Sequence, residues 1–278
     1  MISKRPTRTE PGRAILTAVL AHITLGTTID EVIAGLDGVI ESSVQQNSRL
    51  AYFACLYRAV TAKVREGIAV GRFEDGQRME RLDVVFANRY LAALQAYGQG
   101  ARLSRSWEVA FGAARSWHLL VLQHLLLGIH AHINFDLGIA AAQTAPGAAL
   151  AGLKHDFDEI SAILGEMLDD VQSRIARISP WMGLFDRLAG RSDEALFSFS
   201  ASTARDLAWR TAQRLARLHE EAQATELDQL DRTVAALAQP IRSPGRWITT
   251  LLLIIRAREP NRVGDVVQAL RSDAKGGG

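Results

Sequence analysis

The stretch Gln123-His124-Leu125-Leu126-Leu127-Gly128-Ile129-His130-Ala131-His132-Ile133-Asn134-Phe135-Asp136-Leu137 decides how the rest of the chain is read. It has apolar residues on every side of a helix, yet it carries imidazole, amide and carboxylate groups. A helix turns ~100° per residue, so positions three, four and seven apart share a face. His130 and Asn134 then share one face with Gln123 and Leu127. His132 and Asp136 share nearly the opposite face, with His124 about 80° away and two turns earlier. A helix that is apolar all round sits at the centre of its bundle, and Gly128 lets a neighbour approach closely at a cost in helix propensity.

Outward from this stretch the chain keeps a helical period. Alanine, leucine and arginine, all good helix formers, dominate, and strand-like alternation is scarce. The pattern predicts helices at 11–23, 28–42, 47–69, 76–97, 104–141, 148–177, 193–238, 244–257 and 262–271. A break is expected near Ser116 and a kink within 193–238. Thr28 with Glu31 has capping-box spacing, and Ser192 is placed to cap a helix beginning at Asp193. Pro146-Gly147, Ser179-Pro180 and Ser243-Pro244 mark stops, because proline cannot continue a helix interior. The expected fold is all-α, a single-domain multi-helix bundle over 13–274 with a central buried helix and tails at 1–12 and 275–278.

Composition excludes several classes. The 278 residues are 48% hydrophobic and 22% charged, enough to bury a core and too apolar for a disordered chain. The net charge of +2 supplies no bulk reason to expect nucleic acid. Cys55 stands alone, which excludes an internal disulfide and a multi-cysteine metal site, and it reads as a buried inert thiol. Residues 1–12 lack the apolar core of a signal peptide, and Leu251 to Ile255 is far short of the ~20 residues that span a bilayer. A cytoplasmic protein with no membrane and no nucleic-acid partner is expected, and its oligomeric state is open. P-loop, dinucleotide and Gly-x-Ser-x-Gly motifs do not occur.

Two further carboxylates fall on stripes that should be buried. Asp83 shares its face with Met79, Phe86, Ala87, Tyr90 and Leu94, and Asp156 lies in the row Leu153, Ile160, Ile163 and Met167. A bare buried carboxylate costs on the order of several kcal/mol, so each must be paired, hydrogen-bonded, metal-bound or protonated. Imidazole and carboxylate at i and i+4 can share one metal, and bundle proteins assemble such sites from facing helices. His132, Asp136, Asp83 and Asp156 are therefore the candidate ligands for a divalent iron, zinc or manganese ion. The Glu-x-x-His motif of carboxylate-bridged bundles is missing. A regular helix also cannot aim both His130 and His132 at one ion, so either one is a ligand and the other structural, or the helix is distorted locally.

The bland alternatives are equally concrete. Each histidine can be a hydrogen-bonded core residue, and Asn134 an interhelical hydrogen-bonder. Asp83 and Asp156 can pair with Arg89, Arg115 or Arg205 in a structural network. Trp107, Trp117 and Trp209 read as core or pocket wall. The run Arg205 to Arg217 reads as an amphipathic surface, and His219-Glu220-Glu221 lacks the second histidine of a zincin. Asp169-Asp170 resembles the magnesium-holding pairs of all-α terpene cyclases, but the partner motif is missing and a solvated face explains it.

The run His130-Ala131-His132-Ile133-Asn134-Phe135-Asp136-Leu137 resembles the signature of an actinobacterial and fungal family, domain of unknown function 5995, which reads Gly-Met/Ile-Asn/His-Ala-His-Ile-Asn-x-Asp-Leu. Arg81 to Tyr90, Trp107, and Asp156-Phe157 with Ile160 are also similar to it, so the resemblance covers roughly 75–215. Position 130 is often asparagine in that family, which implies that His132, Asn134 and Asp136 outrank His130. The family name carries no chemistry.

The expectation is an enzyme of specialised metabolism acting on a small, largely apolar molecule. Its catalytic candidates are His132, Asp136, Asn134, Asp83, Asp156 and His130. Tyr90, Trp107, His124, Gln123, Trp209 and Arg205 are the candidate pocket residues. In a metal-free version, an aspartate of raised pKa and a histidine act as acid and base. The alternatives are a non-catalytic ligand-binding or interaction protein with a structural polar network, and a metal-free or magnesium-dependent all-α cyclase.

Overall fold

The computed structural model describes residues 10–179 and 201–272. The chain forms an all-α multi-helix bundle, with no strand among the described residues. Helices α1 (Glu10–Ala21), α2 (Ile29–Gln45), α3 (Leu50–Ala69) and α4 (Gly76–Gln99) precede a shorter α5 (Arg105–Ala113). Then come α6 (Val121–Ala131), a π-helical turn His132–Leu137, and α7 (Gly138–Thr144). A 3-10 stretch Gly147–Leu153 leads into α8 (Lys154–Ile178), followed by α9 (Ala201–Leu215), α10 (Glu220–Arg242), α11 (Arg246–Arg256) and α12 (Val263–Arg271).

Val121–Thr144 is one continuous helical run and the axis of the bundle. It packs against α3, α4, α5, α8, α9 and α10. By length and composition it could cross a membrane, and its apolar window is 72% buried within the protein. Close approach to α3 depends on Gly128, where a Cβ would lie 2.4 Å from the Phe53 ring. On the α9 side Gly138 plays the same part, because a Cβ there would lie 2.6 Å from the Ala208 carbonyl oxygen.

The expected breaks have local causes. The run 104–141 divides at residues 114–120, around Ser116, where backbone bonds of the i→i−3 kind end α5. The single helix expected over 193–238 is instead two, α9 and α10. At the break the Gln223 side chain donates to the carbonyls of Leu215 and Leu218, satisfying acceptors that the end of α9 leaves open. Thr28 does cap α2, its hydroxyl accepting from the Glu31 N–H at 3.2 Å. Glu31 reaches one residue further back than a capping box requires, and accepts from Thr27 N–H and Oγ1 at 2.7 Å. The Ser192 cap and most of the expected tails fall outside the described residues, as do the side chains of Asp169 and Asp170.

Candidate functional site

Asp136 lies in the π-helical turn and is fully buried. Its Oδ1 accepts from Arg89 Nε of α4 at 2.8 Å, and its Oδ2 accepts from Trp107 Nε1 of α5 at 2.9 Å. His132 Nδ1 lies 3.3 Å from the same Oδ2. Burial opposes ionisation of Asp136, but Arg89, His132 and Trp107 outweigh it and hold the carboxyl below the usual carboxylate range. Burial, the largest influence on His132, lowers its pKa despite the carboxylate, so the imidazole is neutral at pH 7. Asp136 thus fixes the Nδ1–H tautomer, and Nε2 is left as a bare acceptor. That Nε2 is buried with no hydrogen-bond partner.

Aromatic rings enclose this dyad. His132 lies flat on Phe86, with centroids 3.6 Å apart and planes 6° from parallel, and meets Tyr57 edge-on at 4.4 Å. Phe53, Tyr90 and Trp107 stand at 5.7, 6.0 and 6.0 Å. The rings come from α3, α4 and α5 because Phe53 and Tyr57 are one turn apart on α3, as are Phe86 and Tyr90 on α4. The π turn matters here, since i→i+5 bonding rotates the residues after it relative to a regular helix. Such turns recur at functional sites.

Asp83 stands one turn from Phe86 on α4. Burial, with a smaller push from Glu80, raises its pKa to about 8, and Oδ2 has no hydrogen-bond partner. It is therefore a neutral carboxylic acid at pH 7. Tyr57 is close enough to both carboxyl groups for each to raise its pKa, although burial contributes most. The Tyr57 and Thr61 hydroxyls are buried, and neither meets hydrogen-bond geometry, although Thr61 sits close enough to lower the phenol's pKa. Buried polar atoms without partners are few in native proteins. Here four of them belong to Tyr57 and to three residues that neighbour it, Thr61, Asp83 and His132.

Several expected members lie elsewhere. Asp156 is fully buried, but its oxygens accept from the backbone N–H groups of Glu74 and Asp75 at 2.7 and 3.2 Å and from Arg78 Nη2 at 2.8 Å. It fastens the start of α8 to the start of α4. These partners outweigh burial and hold its pKa below the usual range. The quartet His132, Asp136, Asp83 and Asp156 does not converge as a ligand set. Among the described residues the only group of three or more metal-ligating side chains within 4.8 Å is Glu74, His155 and Asp156. Two of those three are exposed, and Asp156 is already neutralised by Arg78.

His130 and Asn134 form a separate pair, as divergent helix faces require. Asn134 Nδ2 donates to His130 Nδ1 at 2.8 Å, and His130 Nε2 donates to the Val234 carbonyl on α10 at 2.9 Å. Gln123 closes the first turn of α6 by accepting from Leu120 N–H, and ties it to α10 by donating to the Ile241 carbonyl. His124 packs edge-on against Tyr52, and burial lowers its pKa to about 3. Arg205 donates to the Phe157 carbonyl, and Trp209 packs on the Phe157 ring at 5.0 Å, so both serve the α8–α9 contact. Trp117, expected in the core or a pocket wall, is 67% exposed. Cys55 is buried and its thiol pKa is raised by that burial, as an inert thiol requires.

Sequence reasoning missed Tyr57, Thr61, Phe53 and Phe86 as site residues. The available signal was the α3 row Phe53, Tyr57, Thr61, where hydroxyls recur at i+4 on a face that should be apolar. A cavity of about 370 Å³ lies between the start of α5 and α10, lined by Phe135, Ser104, Arg105, Asp228 and Asp231 among others and by none of the rings around His132. Arg89, the partner of Asp136, also sits over the Phe135 ring at 5.8 Å.

A family model described as "Family of unknown function (DUF5995)" matches residues 29–244. No curated protein and no solved structure matches the chain.

Proposed function

The chain belongs to the DUF5995 family, and from its geometry we propose that it is a metal-free acid–base enzyme acting on a small, largely apolar molecule. The observation that carries this reading is the orphaned Nε2 of His132, with Nδ1 held by a carboxylate that Arg89 and Trp107 anchor. A neutral imidazole whose far nitrogen is oriented by an ionised aspartate is a general base. Asp83 and Asp136 are pushed in opposite directions, one kept protonated and the other ionised, and such divergence assigns acid and base roles. His132 Nε2 takes a proton from the substrate, and the Asp83 carboxyl returns one at a second position. The net change is a proton shift within the molecule, and the two residues re-equilibrate with solvent. Phe53, Tyr57, Phe86, Tyr90 and Trp107 supply the apolar walls.

The competing reading is a structural polar network, favoured by the close stacking of Phe86 on His132. Diethyl pyrocarbonate, which acylates neutral imidazole, separates the two when modified sites are mapped by mass spectrometry. The enzyme reading expects acylation of His132 in the folded protein, protection by an aromatic ketone or alcohol such as acetophenone or 1-phenylethanol, and loss of that compound's thermal shift in His132→Gln. If exposed His22 and His155 react while His132 stays unmodified, and His132→Gln only lowers Tm, the network is structural.

A further inference from the structure

Helix α11 presents two unlike faces. Ile248, Leu252 and Ile255 pack inward against Leu120, Leu127, Ala238 and Ile241. On the outer side Trp247 is 84% exposed, Ile254 54% and Leu253 39%. Trp247 and Ile254 fall at i and i+7 on one side of the helix, with the Thr250 hydroxyl turned back to the Arg246 carbonyl between them. Leu237 on α10 is also exposed, at 59%. Trp117 stands at the far end of the helix, because its carbonyl accepts from Arg256 Nε at 2.9 Å. Exposed apolar side chains scattered singly need no explanation, but three on one eleven-residue helix, a tryptophan among them, mark an interaction surface.

Along 237–262 the exposed charge has one sign, and the next acid, exposed Asp265, lies beyond it on α12. Between 237 and 262 the basic residues are Arg242, Arg246, Arg256, Arg258 and Arg262, and the single acid is Glu259. Glu259 is buried, with its oxygens accepting from Ser179 Oγ and Val121 N–H, so it presents no charge outward. Arg246, Arg258 and Arg262 are exposed, and Arg242 is half-buried. An amphipathic helix with a tryptophan on its outer face and arginines at both ends fits the headgroup layer of an anionic bilayer. Tryptophan prefers that layer, and each nearby arginine gains from the negative surface potential. A second copy of the chain fits less well, since a two-fold contact sets the same arginines against each other.

We propose that α11 is a peripheral docking surface for anionic lipid membranes, with Trp247, Leu253 and Ile254 entering the interface and Arg242, Arg246 and Arg262 meeting phosphate headgroups. This goes beyond the catalytic reading and does not depend on it. It also departs from the expectation, drawn from the sequence, that no membrane is a partner.

The test is co-sedimentation of the full chain with vesicles of phosphatidylcholine alone and of phosphatidylcholine with phosphatidylserine, at low and high salt. Binding is expected only with phosphatidylserine and is expected to fall with salt. Trp247→Ser should abolish it, and Arg246→Gln and Arg262→Gln should each weaken it about fivefold. Unchanged circular dichroism shows that these surface variants still fold. Failure to bind phosphatidylserine vesicles, or equal binding by Trp247→Ser, overturns the proposal. Self-association abolished by Trp247→Ser, with no vesicle binding, assigns the face to a second copy and also overturns it. Retention by an acidic protein partner without vesicle binding does the same.

Discussion

Arg89 reaches from α4 to place its Nε 2.8 Å from Asp136 Oδ1, joining a side chain 24% exposed to one only 2% exposed. The cation keeps a route to water while the anion has none. A pair of this kind contributes little net stability over an apolar replacement, but breaking it strands a charge. Asp136→Ala should therefore cost about 3–5 kcal/mol, because Arg89 and Trp107 both lose their acceptor. Urea denaturation checks this, and a loss below about 1 kcal/mol would mean that the site is already hydrated.

Asp83 sets an opposite pH dependence. With its folded pKa raised to about 8 from the ordinary carboxyl value of 3.8, the native state holds a proton that the unfolded chain releases. Its contribution to stability is present in acid and declines as pH rises from about 4 to about 8, with a slope up to about 1.4 kcal/mol per pH unit. Asp83→Asn removes that slope. The variant should match the wild type near pH 4 and exceed it by several kcal/mol, on the order of magnitude expected from linkage, at pH 8. Urea midpoints at the two pH values decide it.

Asp156 behaves in the reverse sense. Its folded pKa is lowered, so its contribution is present above the unfolded carboxylate range and is lost as pH falls. Asp156→Asn should lower stability at pH 7 and converge on the wild type in acid. Because Asp156 fastens α8 to α4 and lies outside the His132 ring cluster, the His132 imidazole resonances should stay in place.

Gly128→Ala tests the packing that places α3 on the central run. Alanine gains about 1 kcal/mol of helix propensity, but its Cβ would meet Phe53 Cγ at 2.4 Å and Cβ at 2.8 Å. Those atoms are near the backbone and cannot swing away. Overpacking of this kind costs about 1–3 kcal/mol, so a net fall in Tm is expected, together with a change in the His132 ring environment.

Helices were legible where the period was long and the cap was a side chain in sequence, as at Thr28, whereas the Ser104 cap that starts α5 by accepting from Trp107 N–H was not read from the sequence. The union of His132 with Asp136 was legible too, because i and i+4 on one helix meet wherever the helix goes. A local distortion of the helix was legible only as one way to reconcile His130 with His132. The structure has a π turn there, and His130 turns to Val234 on α10.

Partners on other helices were another matter. A stripe shows that Asp83 and Asp156 face inward, but not which neighbour waits there. Asp156 went to the amides of Glu74 and Asp75, and Asp83 to an apolar layer beside Tyr57. Local periodicity specified the helices, the buried axis and the histidine–aspartate pair, because those depend on contacts within a few residues. Which carboxyl is ionised, which is neutral and which faces only structural donors depended on long-range packing, because desolvation and charge pairing act across space and leave no mark in spacing along the chain.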